Sequence, residues 1–473
     1  MARRRRILIA VALILFVAAI GGLLLLLSGR GWNPGARPNI LFISIDTLRA
    51  DHLGCYGYQR PTSPHFDRLA AEGVRFARAV APSSFTLPSH VSMFTGQEMG
   101  VHHVASAGTA IADRVVTITE VLHDAGYATF GFGCAPYLKR QFGFAQGFDF
   151  YDDRLANVGV RESHAAVTSD KVVNRALQRI KEPRGKPWFV FMHMWDPHFD
   201  YVPPPPYNTM FSGDYHGGFS MHNFEQNHGF VVGMDPADYA YTVSQYDGEI
   251  AWTDSQLGRL FDALKKMGLW EKTAIVLTAD HGEEFLDHGQ RGHGHSLYDE
   301  LVHVPLIVKL PGAASHKVID CAVSLIDLYP TLAELAGVRR SGYRGDGRSL
   351  LELIFGRGQC DANRMLVSET NLSRIDKAHD SPHGYEMAIE VGGVKFFHRF
   401  KEPLREMMFD LRVDPREEHD LMAARPQQAA ALRNQLYHQH QQMNVRAEKL
   451  HMGQPNKVDM RTHEQLHQLG YIQ

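Results

Sequence analysis

Four short, almost wholly apolar runs of strand length limit what this 473-residue chain can fold into. They are Asn39-Ile-Leu-Phe-Ile-Ser-Ile45, Trp188-Phe-Val-Phe-Met-His193, Thr273-Ala-Ile-Val-Leu-Thr278 and Val304-Pro-Leu-Ile-Val308. A strand facing water on one side alternates apolar and polar residues. A strand covered on both faces does not, and parallel sheets sandwiched between helices are made of such strands. Helical patterns separate the runs. The clearest spans about Tyr241 to Lys266, where Val243, Tyr246, Ile250, Leu257, Leu260, Phe261 and Leu264 recur at helical spacing and define a core-facing stripe. Strands alternating with helices predict an α/β fold on a mostly parallel sheet, in which ligands sit beyond the carboxyl ends of the strands. Asp46, Asp196, His198, Asp280 and His281 are therefore expected on one rim.

With 44% hydrophobic and 21% charged residues, the chain has enough apolar material for one large core and a smaller subdomain. A net charge of -3 gives no basic surface for a phosphate backbone, so a nucleic-acid partner is not expected. Arg3 to Arg6 precede an uncharged apolar run from Ile7 to Leu27. That length suits a membrane span, with the arginines on the cytoplasmic side and the rest of the chain outside. Residues 1–28 are read as a single-pass signal-anchor, a cleavable signal peptide being the competing reading. Residues 29–38 are a short tether, 39–360 a catalytic domain, and 361–473 a C-terminal subdomain with a polar, Gln- and His-rich helical tail whose polar face is expected in solvent. The stretch from His198 to Ala237 reads as a long loop, either a lid over the site or plain disorder. Cys55, Cys134, Cys321 and Cys360 have wide, irregular spacing that leaves pairing and free thiols equally open.

The chemistry gathers in two segments. In Ser84-Phe-Thr-Leu-Pro-Ser-His90, Thr86 stands just before an expected helix with Pro88 in its first turn. Backbone N–H groups at such a terminus point at a bound anion. In Asp280-His281-Gly-Glu-Glu284 a carboxylate and an imidazole follow a strand directly. Together with Asp46 they supply two carboxylates and one imidazole, a donor set for a divalent metal. Glu283 and Glu284, beside the metal pair, are expected either to tune it or, as carboxylates usually do, to face solvent.

In order along the chain, Arg37-Pro-Asn-Ile-Leu-Phe-Ile-Ser-Ile-Asp46, Arg49-Ala-Asp-His-Leu-Gly-Cys-Tyr-Gly57, Thr86-Leu-Pro-Ser-His90, Asp280-His-Gly282, Tyr298-Asp-Glu-Leu-Val-His-Val-Pro305, Ser324-Leu-Ile-Asp-Leu-Tyr-Pro-Thr331 and Phe409-Asp-Leu-Arg-Val-Asp-Pro415 resemble the signature blocks of the sulfatase family of the alkaline-phosphatase superfamily. The resemblance runs from Arg37 to about Leu421. It implies an alkaline-phosphatase-like α/β sandwich with a smaller C-terminal subdomain, a divalent cation held by Asp46, Thr86, Asp280 and His281, and Thr86 at the nucleophile position. It also implies catalytic roles near the ester for His198 and for His293 or His295, which spacing does not separate. Asp196 with His293 or His295 is a candidate second metal site. Calcium is the cation implied by sulfatase relatives; zinc, manganese and magnesium also suit the donors.

Two departures bear on the chemistry. Sulfatases carry a Cys or Ser, oxidised to formylglycine, where this chain has Thr86, and an arginine where it has His90. A threonine there resembles the phosphodiesterases and the phosphoethanolamine and glycerophosphate transferases of the superfamily. The expected activity is thus hydrolysis of a phosphate or sulfate ester, phosphate favoured, on a substrate such as a lipid or glycan headgroup. The alternatives are a transferase to an envelope lipid or glycan, and a decayed extracytoplasmic binding module.

Overall fold

The computed structural model describes residues 37–471 apart from 158–167, 184, 222–228, 313–315, 339–344, 372–384, 401–403 and 469–470. The expected span Ile7–Leu27 and nearly all of the tether lie outside the described residues. Among those described, no helix is long and apolar enough to cross a membrane.

The apolar runs are central strands. Among the described residues, β1 (Asn39–Ile45), β2 (Val74–Val80), β3 (Ala128–Phe132), β4 (Phe150–Asp152), β5 (Trp188–Met194), β6 (Thr273–Ala279), β7 (His303–Lys309) and β8 (Lys317–Ser324) form one eight-stranded sheet. Its order is β8-β2-β7-β6-β1-β5-β3-β4. Every residue of β1, β5 and β6 is buried, as expected for strands covered on both faces. The exception to the parallel arrangement is β7, antiparallel to both β2 and β6. An apolar run records burial on two faces but not strand direction, so its sequence looks like its parallel neighbours.

Register fixes the working rim. Ile45 pairs with Met194 on one side and Ala279 on the other, so Asp46 and Asp280, each following its strand, emerge level with one another. The Asp46 amide donates to the carbonyl of Met194 (2.9 Å), extending the ladder by one bond.

Helices cover both faces, including α1 (Pro64–Glu72), α2 (Thr86–Thr95), α3 (Ser169–Arg179) and α4 (Pro236–Lys266). The last begins five residues ahead of the sequence expectation, where Asp235 caps it by accepting from the Ala237 amide (2.7 Å). It buries Tyr246, Ile250, Leu257, Leu260, Phe261 and Leu264, each contributing about 1.5–3 kcal/mol by leaving water. The preceding loop holds a helical turn, Tyr207–Met210, and its Met221 and Phe230 are buried.

A second, antiparallel sheet forms the C-terminal subdomain, with β9 (Met365–Asn371), β10 (Tyr385–Val391), β11 (Val394–Arg399) and β12 (Arg405–Asp410) in sequence order. Cys321 on β8 is disulfide-bonded to Cys360, whereas Cys55 and Cys134 are free thiols. The tail is only partly solvated. Helix α5 (Pro426–Leu450) buries Ala429, Leu432, Leu436, Met443 and Ala447, and α6 (Met460–Gln468) buries Thr462, Gln465 and Leu466. Gln and His mark the wet faces of these helices, while sparse Leu, Ala and Met on the other faces hold them to the body.

The two sheets are tied by a buried charge cluster. Arg78 on β2 bonds Asp299 (2.6 Å) and Glu390 on β10 (2.7 Å). Lys395 on β11 reaches Asp299 (2.9 Å) and Glu417 (3.0 Å). Removing one member strands the others without a counter-charge, which typically costs about 3–5 kcal/mol. Arg78→Ala is therefore expected to lower unfolding stability by about that much in urea denaturation, while an unchanged midpoint would show that the sheets do not depend on this cluster.

Candidate active site

Three elements converge on the rim: β1 delivers Asp46, β6 delivers Asp280 and His281, and α2 delivers Thr86. Helix α2 is buried along all ten residues and ends at Gly96, which adopts φ 67° and turns the chain away. Thr86 is its first residue, with Phe85 at the cap position and no side-chain cap bond. The threonine hydroxyl is thus not used as a cap; it lies 3.2 Å from Nε2 of His281. Ser89, one turn along, donates to the carbonyl of Asp280 (2.7 Å) and clamps the helix to the strand end. Gly282 passes so close beneath the carbonyl of Glu300 that no side chain fits there.

The orientation of His281 follows from its partners. Its Nδ1 faces the Gly282 carbonyl (2.9 Å), which can only accept, so Nδ1 carries a hydrogen and Nε2 is the nitrogen turned toward the carboxylates. That Nε2 lies 3.6 Å from Oδ1 of Asp46 and 3.4 Å from Oδ2 of Asp280. Both Asp46 oxygens and Oδ2 of Asp280 are buried without a hydrogen-bond partner. Burial pushes the Asp46 carboxyl up to about 7. Asp280 is also raised, by burial and then by the neighbouring Asp46 charge. Burial alone would depress His281, but the Asp280 and Asp46 carboxylates outweigh it and raise the imidazole. Ligand atoms of Asp46, Asp280 and His281 lie within 4.8 Å of one another. Orphaned acceptors facing one point, with a hydroxyl beside them, fit a divalent cation.

Two further histidines lie beneath this cluster, and neither was assigned to the site from the sequence. His193 on β5 is fully buried, neither ring nitrogen has a partner, and its Nε2 lies 3.3 Å from Oδ2 of Asp46. His90 is one helical turn past Thr86. It bonds the Thr86 carbonyl through Nδ1 (2.9 Å) and the Ser44 hydroxyl through Nε2 (3.0 Å). Burial holds His193 down to about 4 and His90 to about 3, so both are neutral imidazoles. The signals were the four-residue step from Thr86 to His90, and a strand register that sets His193 beside Ser44 on the face carrying Asp46.

The remaining rim histidines separate clearly. His293 packs its ring 4.5 Å from that of His281 and 5.1 Å from that of His198. Its Nδ1 bonds Oε1 of Glu283 (2.8 Å), and burial holds it well below the usual imidazole range. His295 instead bonds Oε2 of Glu284 (2.6 Å). Glu283 and Glu284 are fully buried, correcting the expectation of solvent exposure: each orients a histidine, and Glu283 also accepts from the Tyr201 hydroxyl (3.0 Å). Asp196 does not join a second metal group with either histidine. Its carboxylate accepts from the Ser169 amide (2.9 Å) and hydroxyl (2.6 Å), capping α3. His198 stacks on Trp195 at 3.9 Å, with Nδ1 on the Phe199 carbonyl (2.9 Å) and Nε2 on the hydroxyl of Tyr471 (2.6 Å).

The fold is alkaline-phosphatase-like, and the family comparison makes the chain an ester hydrolase. The sulfatase family profile matches residues 38–338, and a profile for the C-terminal part of N-sulphoglucosamine sulphohydrolase matches residues 293–446. The chain belongs to the sulfatase family. It is 25% identical over 429 residues to the uncharacterized sulfatase YidJ of Escherichia coli (strain K12), covering 82% of this chain and 83% of that protein. It is 23% identical to an N-acetylglucosamine-6-O-sulfatase of Bacteroides thetaiotaomicron, covering 81% and 82%. The crystal structure of a phosphonate monoester hydrolase of Agrobacterium radiobacter superposes with a TM-score of 0.71 at 23% identity, covering 86% of this chain and 96% of that one.

The orphaned carboxylates give a test that needs no substrate. Because Asp46 sits at about 7 in the folded chain against an ordinary 3.8, the metal-free fold binds an extra proton between those values and loses stability as pH rises through that window. Asp46→Asn removes the charge. It is expected to raise the melting temperature of metal-free protein at pH 8 and to abolish the further stabilisation that added zinc, manganese or calcium gives the wild type, both read by thermal denaturation.

Proposed function

We propose that this chain is a divalent-metal-dependent hydrolase of phosphate esters in which Thr86 is the nucleophile. The observation that carries the reading is the placement of a secondary hydroxyl, which cannot become formylglycine, at the start of α2, 3.2 Å from His281 Nε2 in a site where both Asp46 oxygens and Oδ2 of Asp280 have no hydrogen-bond partner. Asp46, Asp280, His281 and Thr86 would hold the cation. When bound, it neutralises negative charge on the transferred group and lowers the pKa of the threonine hydroxyl, so that Thr86 enters as its alkoxide.

The chain's own groups account for the rest. Thr86 Oγ1 attacks phosphorus in line, the ester oxygen departs on the opposite side, and a phosphothreonine is left for water to cleave. The N-terminal amides of α2 face the oxygens of the transferred group. The leaving oxygen needs a proton, and His198 is the better placed donor. His293 is held neutral by burial with its hydrogen committed to Glu283, whereas His198 turns Nε2 to a hydroxyl, a group that can take up a proton and give one away. His295, bound to Glu284, holds in place the segment that carries His293.

Relatives acting on sulfate or phosphonate esters keep the neighbouring chemistries in view, but a formylglycine mechanism needs a residue that Thr86 cannot become. The test uses chromogenic phosphate monoester, phosphate diester and sulfate ester with calcium, magnesium, manganese or zinc. Phosphoester turnover that falls at least about 10³-fold in kcat in Thr86→Ala is the expected result. Sulfate ester turned over faster than either phosphoester would overturn the preference for phosphorus.

A further inference from the structure

The end of the chain returns to the catalytic histidines. Tyr471 places its hydroxyl 2.6 Å from Nε2 of His198 and 3.5 Å from Nε2 of His293. Both imidazoles therefore aim their Nε2 atoms at one oxygen. The Tyr471 ring meets Phe85, the residue before Thr86, edge-on at 5.3 Å, and lies 5.5 Å from Tyr137. The contact is built into the fold. The Tyr471 amide donates to the Leu466 carbonyl (2.8 Å), and Leu466 is fully buried. One turn back, Thr462 and Gln465 accept from the buried ammonium of Lys139, and Gln465 donates to the Ala156 carbonyl (2.9 Å).

We propose that Tyr471 is a catalytic residue whose phenol carries the proton from His198 to the leaving oxygen. This deepens the phosphoester reading and rests on its assignment of His198 to the leaving side. His198 Nδ1 keeps its hydrogen on the Phe199 carbonyl throughout, so only Nε2 exchanges a proton, and the phenol oxygen stands directly against it. As the P–O bond breaks, its electron pair goes to the leaving oxygen, which takes the phenol hydrogen. The phenol oxygen takes the Nε2 hydrogen in the same step. His198 ends neutral, Tyr471 is unchanged, the alcohol departs, and the Thr86 Oγ1–P bond has formed. A hydroxyl both donates and accepts, so it can hold His198 before and after transfer without moving; a phenyl ring cannot.

The experiment compares full-length wild type with Tyr471→Phe on phosphate esters that differ only in the leaving group: p-nitrophenyl, phenyl and alkyl. A p-nitrophenolate leaves without protonation, and an alkoxide does not. The expected result is p-nitrophenyl turnover within about threefold of wild type, a loss of at least about tenfold on the phenyl ester and a larger one on the alkyl ester, with an unchanged melting temperature. Equal losses across the series, the mark of a merely structural tyrosine, would overturn the proposal, as would no loss. Wild type that turns over none of these esters defeats the phosphoester reading instead. In that case the contact is read by ¹⁵N-histidine NMR, with the His198 Nε2 resonance identified by its absence in His198→Gln: a shift in Tyr471→Phe supports the pairing, and an unmoved resonance overturns it.

Discussion

Two carboxylates held in a dry interior beside one imidazole set the terms for this structure. At the effective dielectric of a protein site, like charges about 4 Å apart repel by about 4 kcal/mol, and each has also lost its water. Among the described residues no arginine or lysine pairs with Asp46 or Asp280 to offset this, although the chain supplies such partners elsewhere. Arg78 and Lys395 neutralise Asp299, Glu390 and Glu417 between the sheets. Arg49 likewise neutralises Asp51 and Asp287 near the rim. Two carboxylates set against one imidazole here, and careful pairing elsewhere, mark the rim as a place where positive charge is brought by something that binds.

The sheet makes that arrangement possible because register, not side-chain adaptation, levels the strand ends. Adjacent parallel strands stop at the same height, α2 is clamped across them by Ser89, and the hydroxyl of Thr86 comes to rest against His281. The outer shell is specified with equal care: Glu283 holds His293, Glu284 holds His295, the Phe199 carbonyl holds His198, and the Gly282 carbonyl holds His281. Each contact fixes one ring nitrogen and so decides what the other can do.

Much of this was legible in the sequence, and the limits are physical. Asp46, Asp280 and His281 follow strands immediately, so local pattern brought them to one rim; Thr86 opens a helix, and it was the resemblance of the ordered blocks that joined it to them. His193 sits inside such a run, where a histidine reads as part of a buried strand; only the pairing of β5 with β1 shows which side it faces. Glu283 and Glu284 looked solvent-facing because a carboxylate is normally wet, and the histidines they hold lie ten and eleven positions further on. The reversal of β7 left no mark on its composition. Tyr471 was hidden by a polar tail, since nothing local relates it to His198, 273 residues away.

The most direct measurement of the central claim is mass spectrometry of enzyme acid-quenched during turnover of a phosphate diester. The account predicts a phosphorylated peptide whose modification maps to Thr86 and disappears in Thr86→Ala. Continued turnover with Thr86 never modified, or with phosphate found on another residue, would contradict it.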